Sequence, residues 1–226
     1  MYDRIKLLGN AQDAGRPQIG CTQKCCTDAR ENSSLSRMPV SLGLQGETYG
    51  LVEATKSIGN QLSLMDNVMI DELWLTHAHL GHIEGLGQFG REALNSKNIK
   101  LRCSDSVVDY TMNHPIWKKL IERGNLTFAK FQSENIIPIE VPHRARDFDT
   151  HAILFKGQSN NIFFLPDHDT WEKTLDFAGY DNPKEWFSSL DANIILLDGT
   201  FWDSNELKGR IQANVPHPPV SETLDL

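Results

Sequence analysis

The chain is expected to fold as a layered α/β protein, and three features of its sequence point there. Short apolar runs of strand length recur from end to end. Helical patterns are interspersed among them, and the polar residues with chemical potential fall just past strand ends. Loops at strand ends are held by a rigid sheet, which is where layered folds carry their chemistry.

Residues 4–9 (IKLLGN) read as a short strand that runs into a polar loop, AQDAGRPQIG, and then a cysteine segment. Residues 41–54 (SLGLQGETYGLVEA) read as two strands around a tight turn, and Ile58 to Met65 as a short helix. IDELWLTH alternates towards a strand ending at His77, and IEGLGQFGREAL continues as a helix. IKLRCS and LTFAKF are strands, with helical SVVDYTMNH and PIWKKLIERG between them. NIIPIEVPH, HAILFKG and NIFFLPD follow as strand-like runs, then a helix around Trp171 to Phe177. NIILLDGT is apolar enough for a buried strand. The end, PHPPVSETLDL, shows no clear closing element. Neither a repeat nor a linker interrupts the pattern, so one domain over residues 1–226 is expected.

Composition narrows the class. Hydrophobic residues make up 39% and charged residues 23%, enough for a real core. Net charge is −8 and the basic residues form no run, which argues against nucleic acid and anionic membrane as partners. No apolar run approaches the roughly 20 residues that span a bilayer. The N-terminus, MYDRIKLLGNAQ, turns polar after one strand's length and does not read as a secretion signal. Cys21, Cys25, Cys26 and Cys103 read as reduced thiols in a cytoplasmic setting, with Cys103 a small core residue. A small-molecule substrate fits these limits; the oligomeric state is open, a homodimer included.

The decisive stretch is LTHAHLGHIEG, Leu75 to Gly85, which holds His77, His79 and His82. Neutral imidazole is the commonest protein ligand for zinc. Histidines at i and i+2 on a turn can point into one pocket, and a third at i+5, opening a helix, can reach it from another side. That suits two neighbouring metals, or one metal plus a positioned acid or base.

THAHLGH resembles the T-H-x-H-x-D-H signature of the metallo-β-lactamase superfamily. VPH, ending a strand at His143, falls where that superfamily places the third histidine of its first metal site. LPD, ending a strand at Asp167, falls where it places the carboxylate that bridges two metals. More narrowly, LGNAQDAGRPQIGCTQKCC, MPVSLGL, LTHAHLGHIEGLGQFGREAL, VPHR, LPDHDTW, LLDGTFWD and PHPPVSE together resemble the branch containing pyrroloquinoline quinone biosynthesis protein B. A phosphodiesterase of the phosphonate pathway is a further cousin.

The resemblance implies an αββα four-layer sandwich. It also implies a hydrolase that directs a metal-bound hydroxide at an ester or phosphodiester-type substrate. His77, His79, His82, His143 and Asp167 would be the active-site metal ligands, with Asp167 and His82 in catalytic roles. Asp167 would orient the water and accept its proton. The alternatives are an iron-dependent oxygenase or quinone-biosynthesis enzyme, and a non-enzymatic metal-binding member.

Gly81 departs from the signature, because the superfamily's aspartate here is a ligand of the second metal. One tightly held metal is therefore expected beside a weak or empty second position. Zinc is the first expectation, with iron or manganese as alternatives. A further histidine that the branch carries after the PHP segment is missing, so the chain is expected to lack a C-terminal segment. The branch also carries a structural zinc on three cysteines. Cys21, Cys25 and Cys26 are the matching residues, although their spacing departs from C-x-C-x-x-C, and His217 is a weaker candidate for the fourth ligand.

Asp13, Asp169, Asp198 and His217 are candidates to support the site from behind or to border it. His168, beside Asp167, either holds a ligand or faces solvent. His114 and His151 belong to no motif. Trp171, Trp186 and Trp202 are expected in packing, with Trp202 also placed to line a cleft.

Overall fold

Two sheets, each flanked by helices, make up the computed structural model, which describes residues 2–144, 146–207 and 215–225. The chain divides into two compact units, Met1–Phe131 and Gln132–Leu226. The first holds a sheet in the order β1 (Tyr2–Gly9), β2 (Ser41–Gly46), β3 (Tyr49–Val52), β4 (Glu72–Trp74), β5 (Ile99–Arg102) and β6 (Leu126–Ala129). β1 to β3 form an antiparallel meander, and β3 to β6 run parallel. Parallel neighbours require crossover connections. These are supplied by α2 (Ile58–Ser63), α3 (Leu80–Ile83) and the pair α4 (Asp105–Asn113) and α5 (Pro115–Glu122). The α4 start is capped by Ser104, and Pro115 opens α5 where its missing N–H costs nothing.

The sheet core is apolar. Leu42, Leu44, Leu51, Val52, Leu73, Trp74 and Leu101 are all fully buried. β4 and β5 thus behave as central parallel strands, with the chain emerging from their C-terminal ends into loops.

The second unit holds a sheet in the order β10 (Ile194–Leu197), β9 (Asn161–Leu165), β8 (Thr150–Lys156) and β7 (Ile136–Val141). β7, β8 and β9 are antiparallel, and β10 joins β9 in parallel. α6 (Trp171–Ala178) and α7 (Pro183–Ser189) cover it, burying Trp171 and Trp186 with Leu154, Phe163 and Leu165 in one cluster. Thr170 and Asn182 cap these helices. α8 (Val220–Asp225) is tied down where the Trp171 indole N–H donates to Thr223 at 2.9 Å.

Most strand expectations hold, and the departures have physical causes. β4 ends at Trp74, three residues before His77, because the histidine stretch leaves the sheet as a loop. IEGLGQFGREAL is not one helix. After the four residues of α3 the chain tightens into a 3-10 turn over Glu84–Phe89, where the glycines weaken α-helix propensity. β10 is an edge strand, not a buried one, and Ile194 is 43% exposed. A short helix over the cysteines, α1 (Lys24–Glu31), and the closing helix α8 carry weak helical patterns and escape sequence reading. Cys103 is buried, and Trp202 is exposed. Among the described residues, no helix is long and apolar enough to cross a membrane.

The Phe163 ring is fully buried and meets Trp186 edge-on at 5.3 Å between centroids. Phe163→Ala should destabilise the fold by about 3–5 kcal/mol. Ile194→Ala on the edge strand should cost only about 0.5 kcal/mol or less. Urea unfolding of the two variants measures the contrast.

Candidate metal centre

In the first unit the loop after β4 is built around a buried acid. Glu53 follows β3 directly, has no exposed surface and sits at φ 68°, a strained backbone for a residue with a side chain. Its N–H donates to the Trp74 carbonyl at 2.9 Å, which fixes it beside the end of β4. The Thr76 hydroxyl donates to Glu53 Oε1 at 2.5 Å. That hydroxyl has one proton, so it must accept from the His77 Nδ1–H, 3.0 Å away. The Nε2 lone pair of His77 is thereby presented outward, in the tautomer a metal ligand needs.

His77 Nε2 lies 2.9 Å from His79 Nδ1, and the two rings meet edge-on with centroids 4.6 Å apart. The His82 ring lies over His77, centroids 4.1 Å apart. Its Nδ1 stands 3.4 Å from Glu53 Oε1 and its Nε2 stands 3.4 Å from Asp13 Oδ1. The backbone locks this turn. His82 N–H donates to His79 O at 2.9 Å, Ala54 N–H to His82 O at 2.7 Å, and Gly85 N–H to Ala54 O at 2.7 Å. The last approach requires glycine, since a Cβ at Gly85 would sit 2.2 Å from the Thr55 carbonyl oxygen.

The second unit gathers its own donors past strand ends. His143 follows β7, Asp167 follows β9, Asp198 follows β10 and His217 precedes α8. One ligand atom each from His143, Asp167 and His217 lies within 4.8 Å of the others, close enough to hold one cation. His217 Nδ1 is 2.6 Å from Asp198 Oδ2 and 3.4 Å from Asp167 Oδ1. Asp198 is 4% exposed, and Thr200 N–H also donates to it at 2.9 Å. A buried carboxylate on Nδ1 sets the His217 tautomer with Nε2 as the remaining donor. These imidazole and carboxylate sets suit a divalent cation such as zinc.

Other expected residues take different places. His168 does not face solvent. It is fully buried, 2.9 Å from the Thr174 hydroxyl, and burial pushes its pKa down to about 4. Burial raises the Asp169 carboxyl, but hydrogen bonds from Lys173 and Thr170 outweigh it and hold the pKa low. Asp169 therefore anchors the start of α6, with Lys173 at 2.9 Å. His217, a candidate to support or border the site and a weaker one to complete the cysteine site, stands against Asp198 and Asp167. Cys21, Cys25 and Cys26 lie at the start of α1 as free thiols. The Gln18 N–H, 3.3 Å from Cys26 Sγ, draws that thiol's pKa down. His114 stacks on Trp117 at 3.9 Å, and His151 stands 3.8 Å from Asp149.

Glu53 is the participant that sequence reading misses. Its only signal is an acid closing the apolar run YGLV, which looks like an ordinary strand end.

Comparison with known proteins places the fold. No family model matches the sequence. Coenzyme PQQ synthesis protein B of Pseudomonas syringae pv. tomato is 25% identical, over 91% of this chain and 76% of that protein. Among solved structures, zinc-bound PqqB from Methylobacterium extorquens aligns with a TM-score of 0.69 at 17% identity, covering 95% of this chain and 78% of that one. A diphosphatase of the PhnP family aligns with a TM-score of 0.66 at 17% identity, covering 98% and 80%.

The Glu53 network yields a stability test. Thr76→Val keeps the shape and removes the hydroxyl, leaving a buried carboxylate short of its donor. The variant should lose about 1–3 kcal/mol, and Thr76→Ser should retain most of the wild-type stability. Chemical denaturation of both, followed by circular dichroism, measures it.

Proposed function

Because the chain has the metallo-β-lactamase fold and resembles its PQQ synthesis protein B branch, we propose that it is a metal-dependent hydrolase. Its substrate is a small molecule with an ester or phosphodiester-type bond. The observation that carries this reading is the presence, in each unit, of histidine donors whose tautomer is set by a buried carboxylate: Glu53 through Thr76 for His77, and Asp198 for His217.

His77, His79 and His143 hold the tight metal, and His82, Asp167 and His217 belong to the neighbouring position. A divalent metal held there supplies Lewis acidity and a nucleophile at neutral pH. The residues do the rest. Asp167, 7% exposed, orients the attacking water and takes its proton. Asp198 engages Nδ1 of His217 and so aims the ring with Nε2 outward. His82, between Glu53 and Asp13, is held for either ligation or proton transfer. Cys21, Cys25 and Cys26 are proposed to take a separate structural zinc, and such free thiols suit a reducing, cytoplasmic setting.

A second reading has its own support. His143, Asp167 and His217 form a two-histidine, one-carboxylate group, the donor set of non-haem iron oxygenases. That reading makes the chain an iron enzyme akin to its quinone-synthesis relatives. Iron in anaerobic preparations, with oxygen uptake on a tyrosine-derived substrate, would favour it over hydrolysis.

Elemental analysis and turnover on a panel of esters and phosphodiesters test the hydrolase. Wild-type protein should retain about one tightly held zinc at the histidine centre and cleave at least one substrate class. His79→Ala should lose that metal and about 100-fold or more in rate, the range seen when a main catalytic electrostatic group is removed. Normal turnover by His79→Ala would contradict the proposal.

A further inference from the structure

The loop between β1 and β2 brings a carboxylate to the place where residue 81 has no side chain. A Cβ built on Gly81 would lie 2.2 Å from Asp13 Cγ, 2.5 Å from Asp13 Cβ and 2.5 Å from Asp13 Oδ1. Real side chains do not approach so closely, so Asp13 occupies the volume that a residue-81 side chain would need. The same carboxylate stands 3.4 Å from His82 Nε2. Gly81 and Asp13 are thus a matched pair, in which the glycine makes room and the aspartate fills it.

This placement is held from both sides. Asn10 and Ala11 N–H groups donate to the Met38 carbonyl at 3.1 and 3.0 Å, and Arg16 N–H donates to Arg37 O at 2.8 Å. Between them, Ala14 N–H donates to the Gln12 side chain at 2.8 Å, and Gly15 N–H to the Gln12 carbonyl at 2.8 Å. The Lys56 ammonium donates to the Ala14 carbonyl. A short side chain on so tethered a loop has little freedom, and Asp13 remains 54% exposed at its side chain. His82 is 2% exposed. The buried imidazole is flanked by Glu53 on its other side, and the carboxylate opens to solvent.

We propose that Asp13 is a ligand of the second metal position beside His82, supplying from the β1–β2 loop the carboxylate that Gly81 does not. This rests on the metal-centre reading above and extends it. The second position is then not a decayed one, because its acidic donor comes from another part of the chain. An anionic oxygen next to a neutral imidazole is a donor pair that suits zinc or manganese.

Zinc titration of the 226-residue chain, read by calorimetry and by elemental analysis after desalting, tests this without an activity assay. The parent protein should bind two equivalents at the active centre, the second more weakly. Cys21, Cys25 and Cys26 are replaced by serine throughout, so that thiols do not contribute. Asp13→Asn should keep the first equivalent and weaken the second by about tenfold or more, the scale at which ligand-shell changes act. Its melting temperature should match the parent, because Asp13 is half exposed. The exchange variant Asp13→Gly/Gly81→Asp should recover most of the lost affinity. An unchanged second equivalent in Asp13→Asn overturns the proposal and leaves Asp13 as a charge partner of His82 only. Equal loss of both equivalents also overturns it, by making Asp13 a support of the loop. A parent that binds one equivalent at saturating zinc overturns it while the metal-centre reading stands. A parent that binds none removes both.

Discussion

A carboxylate with no contact with water is expensive unless donors surround it, and Glu53 is such a carboxylate. Its place at the end of β3 forces the neighbouring chain to supply those donors. Thr76 turns its hydroxyl inward, His77 lines up behind Thr76, and His82 approaches from the following turn. The acid also holds a left-handed backbone at a site where glycine would be easier, which costs of order 1–3 kcal/mol. A strained, buried acid at a loop junction is poor design for stability alone. It is well suited to holding a histidine loop in one rotamer and one tautomer.

The second unit repeats the logic with different parts. Asp198, at the end of the edge strand β10, orders His217 as Glu53 orders the histidine loop. The segment bearing His217 is anchored where Val220 N–H meets Phe201 O at 2.8 Å and Trp171 meets Thr223. Both units thus use a buried strand-end acid to orient an imidazole, and both leave the outer ring nitrogen for ligation. Burial of the acids in dry sheet ends, rather than charge density, distinguishes these groups from the many exposed acids of a chain with net charge −8.

The readable part of the site was the part with local spacing. His77, His79 and His82 announce themselves within one turn, and His143 and Asp167 each close a strand-like run. Strands were legible because β-branched and aromatic residues cluster between turn signals. What stayed hidden depends on topology. Glu53 has no spacing relation to Thr76 or His82; only the parallel pairing of β3 with β4 brings them together. The fit of Asp13 against Gly81 likewise needs the β1–β2 loop, tied to Met38 and Arg37, to fall beside α3. NIILLDGT reads as a buried strand because an apolar run looks the same in the middle of a sheet and at its edge. IEGLGQFG fails as a helix because apolar spacing says nothing of the backbone freedom of its glycines.

The central claim is the proposal that His77, His79 and His143 are ligands of one metal ion. Crystals grown with zinc, with diffraction measured on both sides of the zinc absorption edge, address it directly. The account predicts an anomalous peak ligated by His77, His79 and His143. Zinc bound elsewhere, with those three rings turned to other partners, would contradict it.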